Sequence, residues 1–249
     1  MLFPRNQLLA LPCIALAALL VACSPPPPVQ IGLIGGLADR NSDNGQPGVN
    51  GVTLANEQFN RDGGLDGHMV ELVVRDDAQN RETAAQSAKS LVDARVDAVI
   101  GPFTSGMAEV IVPITGKAGI FQVSPTITSM AFYGKDDNLF RINRTTRDNA
   151  RDYAKVMVER GQKRIAVAYD VRNRNFTESW LREFQEAVAS RGAAVVAPVP
   201  YESSSDADFA KVVRGMLDKQ PDSLFFISGA LDVARLAQQA RRQAPKLPI

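Results

Sequence analysis

Two short stretches gather small hydroxyls where a chain can do binding chemistry. Val99 to Gly106 reads as an apolar run that ends in Gly-Pro and then presents Thr104 and Ser105. Ile120 to Thr128 repeats the plan with Ser124, Thr126 and Thr128. Hydroxyls beside the first N–H groups of a helix are neutral donors at a positive dipole end, where a carboxylate or phosphate can settle. Read by themselves, the same residues serve equally as helix caps. Other chemistries lack their parts. His68 is the sole histidine, and the two cysteines, Cys13 and Cys23, stand near the N-terminus. Cysteine metal clusters therefore have no members in the body of the chain, and a single histidine nearly excludes histidine metal sites and Ser-His-Asp triads. Asp76 and Asp77 are strand neighbours that point to opposite faces, so a turn role is expected rather than an acid/base pair. The run from Asp39 to Gly45 opens like a calcium loop, but its glycine falls one place late and Asn50 stands where the closing Glu belongs. Gly101 to Gly106 lacks the Gly-Lys-Ser/Thr ending of a P-loop.

These loops need strands and helices to hold them, and the patterning supplies both. Strands are expected at Val29 to Gly36, His68 to Val74, Val96 to Ile100 and Ile120 to Val123, with an extended run over Asn138 to Asn143. Helices are expected at Gly48 to Asn60, Arg81 to Arg95 (capped by Asn80) and Met107 to Lys117. A second series then begins. Thr146 is expected to cap a helix to Glu159, followed by strand Arg164 to Tyr169, helix Thr177 to Ser190 and strand Ala193 to Tyr201. Helix Asp206 to Lys219, strand Ser223 to Ser228 and helix Asp232 to Gln243 complete it, and Leu247 to Ile249 reads as the start of another strand. Strict β-α alternation argues α/β architecture with doubly wound parallel sheets and right-handed crossovers. Because the rhythm restarts, two Rossmann-like lobes are expected, 29–143 and 144–249, with a hinge near Arg141 to Arg147 and the second lobe incomplete. Ligands bind such sheets at the carboxyl ends of the strands, so two facing lobes make a cleft.

The totals and the N-terminus bound the setting. The chain has 249 residues, a formal net charge of +1 and 45% hydrophobic residues. With no basic stripe, nucleic acid is not an expected partner. Residues 1–22 carry Arg5 and then an apolar run from Leu8 to Val21, interrupted only by Pro12. That run suits a signal-peptide core and is short for a transmembrane span. It ends Leu20-Val21-Ala22-Cys23, which looks like a bacterial lipobox, so Cys23 is the expected lipidation site. Acylation with more than one chain gives stable anchoring. Cys23 to Pro28, rich in proline, reads as an acylated, stiff tether between membrane and body.

The ordered set of stretches then resembles a known family. Its carriers are Ile31 to Gly36, Glu57-Gln58-Phe59-Asn60, Gly63 to Gly67, Glu71 to Ala78, Val99-Ile100-Gly101-Pro102 with Ser105-Gly106, Ser124-Pro125 with Thr128, and Phe140-Arg141. In order and spacing they are similar to the type I periplasmic binding proteins of branched-chain amino-acid ABC importers, the leucine/isoleucine/valine-binding group. The resemblance implies a lipid-anchored extracytoplasmic solute receptor, closing on an amino acid or similar small polar solute and serving an ABC permease, with no cofactor and no enzymatic activity. It implies Ser105 as carboxylate donor, with Thr128 and Thr126 beside it and Thr104 and Ser124 nearby. Tyr169-Asp170 and Phe176 are the expected second-lobe contacts. Against the family's pattern, the first loop near Asn44-Gly45 has no aromatic residue, Gly229 stands where tyrosine is common, and the usual ammonium-binding acid would lie beyond Ile249. The alternative is a regulatory or sensory lipoprotein of the same fold without a transport role.

Overall fold

The computed structural model describes residues 26–37 and 44–249. The signal segment, Cys23 and most of the Asp39 to Gly45 run lie outside these described residues. In chain order the first unit comprises β1 (Val29–Gly35), α1 (Gly45–Arg61), β2 (Val70–Asp76), α2 (Arg81–Asp93), β3 (Ala98–Ile100), α3 (Ser105–Lys117), β4 (Phe121–Ser124) and β5 (Leu139–Arg141). The second comprises α4 (Thr146–Glu159), β6 (Arg164–Asp170), α5 (Arg174–Ala189), β7 (Ala194–Tyr201), α6 (Phe209–Leu217), β8 (Ser223–Ile227) and α7 (Ala230–Gln243).

All paired strands run parallel, in a five-stranded sheet ordered β2-β1-β3-β4-β5 and a three-stranded sheet ordered β7-β6-β8. The second sheet thus repeats the first three places of the first. The α/β doubly wound expectation is met, and the reason shows in β6. Its run Ile165-Ala166-Val167-Ala168 is wholly buried. Ile165 and Val167 pack with Trp180 and Phe184 on one face, and Ala166 and Ala168 with Val213, Met216 and Leu236 on the other. A parallel strand covered on both faces needs a continuous apolar run of this kind. After α7 the chain returns to β8, where Leu224 N–H donates to Pro248 O at 2.9 Å. Between the sheets the chain crosses over residues 142–145.

Helix starts differ most from the patterning. Asn80 caps α2 as expected, accepting from Glu82 N and Thr83 N. For α4 the cap is Thr145 and not Thr146. Thr145 Oγ1 accepts from Asp148 N at 3.2 Å while Asp148 Oδ2 accepts from Thr145 N at 3.3 Å and from the Thr145 hydroxyl at 2.6 Å, a reciprocal box that selects the residue three before the acid. Thr146 is instead the first helical residue, buried, with its hydroxyl 2.8 Å from Ser179 Oγ. α1, α5 and α7 begin about a turn earlier than apolar spacing indicates, because a first turn that faces a cleft need not be apolar. α6 begins later, at Phe209, where Asp208 Oδ1 accepts from Lys211 N.

One aromatic ring fastens the loop after β3. Phe103 is 3% exposed, and a Cβ on either Gly35 or Gly48 would overlap its ring. Gly101 just before it has φ +110°, and a Cβ there would collide with the Ile34 carbonyl. Asp76 and Asp77 act as turn acceptors. Asp76 Oδ1 takes Leu37 N and Ala78 N, and Asp77 Oδ1 takes both Gln79 nitrogens. No helix among the described residues is long and apolar enough to cross a membrane.

Candidate functional site

Strand ends at which the chain turns into helices bring the site together. A cavity of ≈310 Å³ lies between the two units, within the range that holds a small ligand. The first unit contributes Gln79 after β2 and Thr104, Gly106 and Met107 at the start of α3. The second contributes Asp170, Arg172 and Asn173 at the end of β6, Ser203 after β7, and Ser228 to Asp232 at the start of α7. Helices α3, α5 and α7 therefore all open toward it. Each opening end carries a partial positive charge, so the cavity favours an anionic group near its helix starts.

The hydroxyls singled out from the sequence divide into two groups. Three are committed within the protein. Thr104 Oγ1 donates to Gln79 Oε1 at 3.0 Å, and Gln79 Nε2 passes on to Asp77 Oδ1 at 2.9 Å. Ser124 Oγ donates to Pro102 O at 2.7 Å, and Thr126 Oγ1 to Phe103 O at 2.6 Å. These two bonds lace the loop after β4 to the loop after β3. Ser105 and Thr128 form the other group. Ser105 is 2% exposed, at the first position of α3, and its hydroxyl has no hydrogen bond among the described residues. Thr128 is 5% exposed and its Oγ1 is buried without a partner among the described residues. Of the sequence-derived set, Thr104, Asp170 and Phe176 line the cavity. Ser105 lies between the lining residues Thr104 and Gly106, while Ser124, Thr126 and Thr128 are not among the lining residues. Tyr169 packs against the core formed by Trp180 and Phe184, on the sheet face opposite Ala168.

Other cavity residues carry the polar chemistry of the second wall. Asp170 is 6% exposed. Its Oδ1 accepts from Arg172 N at 3.0 Å and Ser203 N at 3.1 Å, and its Oδ2 lies 3.6 Å from Arg172 Nε. Asp232 is 4% exposed and its Oδ2 is 3.1 Å from the Tyr201 hydroxyl, which is also 2.5 Å from Ser228 Oγ. Burial pushes the Tyr201 phenol up; the Ser228 hydrogen bond opposes this, and the Asp232 and Asp170 carboxylates add to the rise. The phenol stays protonated and is a donor. Asn173 crosses the cleft: its Oδ1 accepts from Gly106 N at 3.0 Å. Gln79, Arg172, Asn173, Ser203, Ser228 and Asp232 escape motif reading because each is an ordinary loop residue. Their shared signal is position, just beyond the carboxyl end of a strand. Among the described residues no group of three or more His, Cys, Asp or Glu could hold a metal ion.

Comparison with known proteins gives a consistent picture. A family model described as periplasmic binding protein matches residues 28–246. The Leu/Ile/Val-binding protein of Escherichia coli K12 is 24% identical over 241 residues, covering 95% of this chain and 64% of its own length. The crystal structure of the branched-chain amino acid transporter substrate-binding protein LivJ from Streptococcus pneumoniae, in complex with isoleucine, superposes with TM-score 0.80 at 24% identity, over 89% of this chain and 63% of that one. A solute-binding protein of an ABC transporter from R. palustris, in complex with 4-hydroxybenzoate, superposes with TM-score 0.77 at 20% identity, over 89% and 59%. The chain thus spans somewhat under two thirds of the length of these relatives.

Proposed function

The chain belongs to the periplasmic binding protein family, and from that premise we propose that it is an extracytoplasmic receptor for a small carboxylate-bearing solute, an amino acid or similar compound, which it hands to an ABC permease. The observation that carries this reading is the split among the hydroxyls. Ser105 and Thr128 are nearly buried and uncommitted, while their neighbours are spent on holding the loops. A buried hydroxyl without a partner is costly unless a ligand completes it. At the start of α3, helix dipole and hydroxyl together suit a carboxylate, held by charge-assisted bonds without a cationic side chain. The ligands in the two superposed relatives, isoleucine and 4-hydroxybenzoate, differ in nearly everything except that group.

The two units, 29–143 and 144–249, are the jaws in this reading, and Phe176 is the aromatic contact from the second. Cys23 carries the lipid that holds the receptor at the membrane, and the proline run spaces it from the surface. A thermal-shift screen of the chain against amino acids, amides and small carboxylates tests the proposal. Ligand at about 100 times its dissociation constant stabilises by about 2.7 kcal/mol. Carboxylates should raise the melting temperature where matched amides do not; a screen in which no carboxylate does so refutes it.

A further inference from the structure

Resting on the carboxylate-receptor reading of the cleft, we infer that the second wall selects a hydrogen-bond donor on the ligand, an ammonium or a hydroxyl, through the Asp232 carboxylate with Ser228 beside it. The first wall supplies donors; the second presents acceptors. A carboxylate offers about four acceptor positions. Asp232 is 4% exposed, lines the cavity, and uses one of those positions, for the Tyr201 phenol at 3.1 Å. Among the described residues its other oxygen meets the Arg235 guanidinium alone, at 3.9 Å, beyond hydrogen-bond range. That guanidinium also lies over the Phe209 ring, 5.7 Å from its centroid.

Proton bookkeeping sharpens the arrangement. Tyr201 has one hydroxyl proton and two oxygen neighbours, Asp232 Oδ2 and Ser228 Oγ. The carboxylate is the stronger acceptor and takes it. Ser228 then donates to the phenol oxygen, and its own lone pairs remain for the cavity. The wall beside α7 is left with a buried anion and a hydroxyl acceptor. Asp170 does not compete for this role, because two backbone N–H groups and Arg172 already meet it. An acid in the first turn of a helix also complements the dipole, but that role does not require burial in a cavity wall. A ligand donor gives the second oxygen of Asp232 a close partner that the described residues do not supply.

The test is calorimetric titration of the full chain with matched ligand pairs that share a carboxylate and differ only in the donor. One pair is leucine and 4-methylpentanoate, the other 4-hydroxybenzoate and benzoate. The donor-bearing member of at least one pair should bind at least tenfold tighter, and the pair that discriminates tells ammonium from hydroxyl. Asp232→Asn should reduce that preference to threefold or less while the donorless member still binds, at least as tightly because a negative charge facing its carboxylate has gone, which also reports that the variant is folded. Equal affinity within both pairs overturns the inference and leaves the carboxylate reading standing; so does a preference that survives Asp232→Asn. If no carboxylate binds, the cleft reading fails and takes this inference with it. Should Asp232→Asn not fold, Tyr201→Phe, which removes the phenol that fixes the carboxylate, must lower the preference, and an unchanged preference there overturns the inference.

Discussion

Asn173→Ala is the most informative single perturbation of the cleft. Asn173 is the N-cap residue of α5 by position, yet its side chain makes no capping bond to that helix. Its Oδ1 instead reaches across to Gly106 N, at the start of α3 in the other unit. Truncation therefore avoids most of the usual loss of about 1 kcal/mol for a capping side chain. It removes one neutral hydrogen bond between the units, worth about 0.5–1.5 kcal/mol, so the melting temperature should fall by roughly 2–4 °C for each kcal/mol lost. Ligand affinity should move the other way. With Asn173 present, a carboxylate arriving at α3 must displace a neutral acceptor before making its own charged bond, worth about 1.5–3 kcal/mol. With alanine there is nothing to displace, and the gain of up to about 1 kcal/mol is roughly fivefold in affinity. Urea unfolding measures the first effect and calorimetric titration with the best carboxylate from the screen measures the second. Asn173→Asp should invert the binding result, because a carboxylate tethered at Gly106 N is an internal competitor. A tenfold or greater loss of affinity in Asn173→Ala refutes the reasoning, since it would make Asn173 a ligand contact rather than a placeholder.

Ser105→Ala and Thr128→Val should each weaken carboxylate binding by about 1–3 kcal/mol, read by titration, with little change in unfolding midpoint because neither hydroxyl has a partner to lose among the described residues. Cys23→Ser should move the protein from the membrane fraction to the soluble fraction of fractionated cells; unaltered membrane attachment removes the lipid anchor. Gly48→Ala places a methyl group against the Phe103 ring and should cost about 1–3 kcal/mol of stability in urea unfolding. The Thr145 hydroxyl holds the Asp148 carboxyl below its usual range, against a small burial effect. That stabilisation is complete above the unfolded-state value near about pH 4 and lost as pH falls through the lower folded value. Asp148→Asn should therefore cost stability at pH 6 and cost progressively less below about pH 4, measured by urea midpoints across that range.

The architecture was legible because its signals are repetitive. Strands buried on both faces write themselves as runs such as Ile165-Ala166-Val167-Ala168, and the β-α rhythm that restarts after residue 143 corresponds to two separate sheets. Helix starts were less legible, for the reason that makes them useful: the turns at Gly45, Arg174 and Ala230 face a polar cleft or its rim and carry no apolar period. Within the site, residue type marked out the hydroxyl-rich loops but could not divide their labour. Nothing in the sequence tells Ser124, whose hydroxyl is spent on Pro102 O, from Thr128, whose hydroxyl has no partner. That division depends on which loop passes within 3 Å of which, a property of the folded chain. Tyr169 illustrates the period-2 hazard: one place along the strand separates a core position from Asp170, which faces the cavity.

The Phe103 ring, wedged against Gly35 and Gly48, makes the two walls of the cavity unequal. The loop that presents Thr104 and Ser105 is pinned to the end of β1 and the start of α1, so it travels with its sheet as one rigid piece and has little room to reshape around a guest. It is an anvil, suited to the part of a ligand that never varies. On the facing wall Gly229 and Ala230 are exposed, while Ser228 and Asp232 are tied to the Tyr201 phenol, so freedom to change there is confined to the first two. Drift in ligand preference among chains of this build should therefore accumulate around β8 and α7, while the loop after β3 keeps its glycines and its phenylalanine.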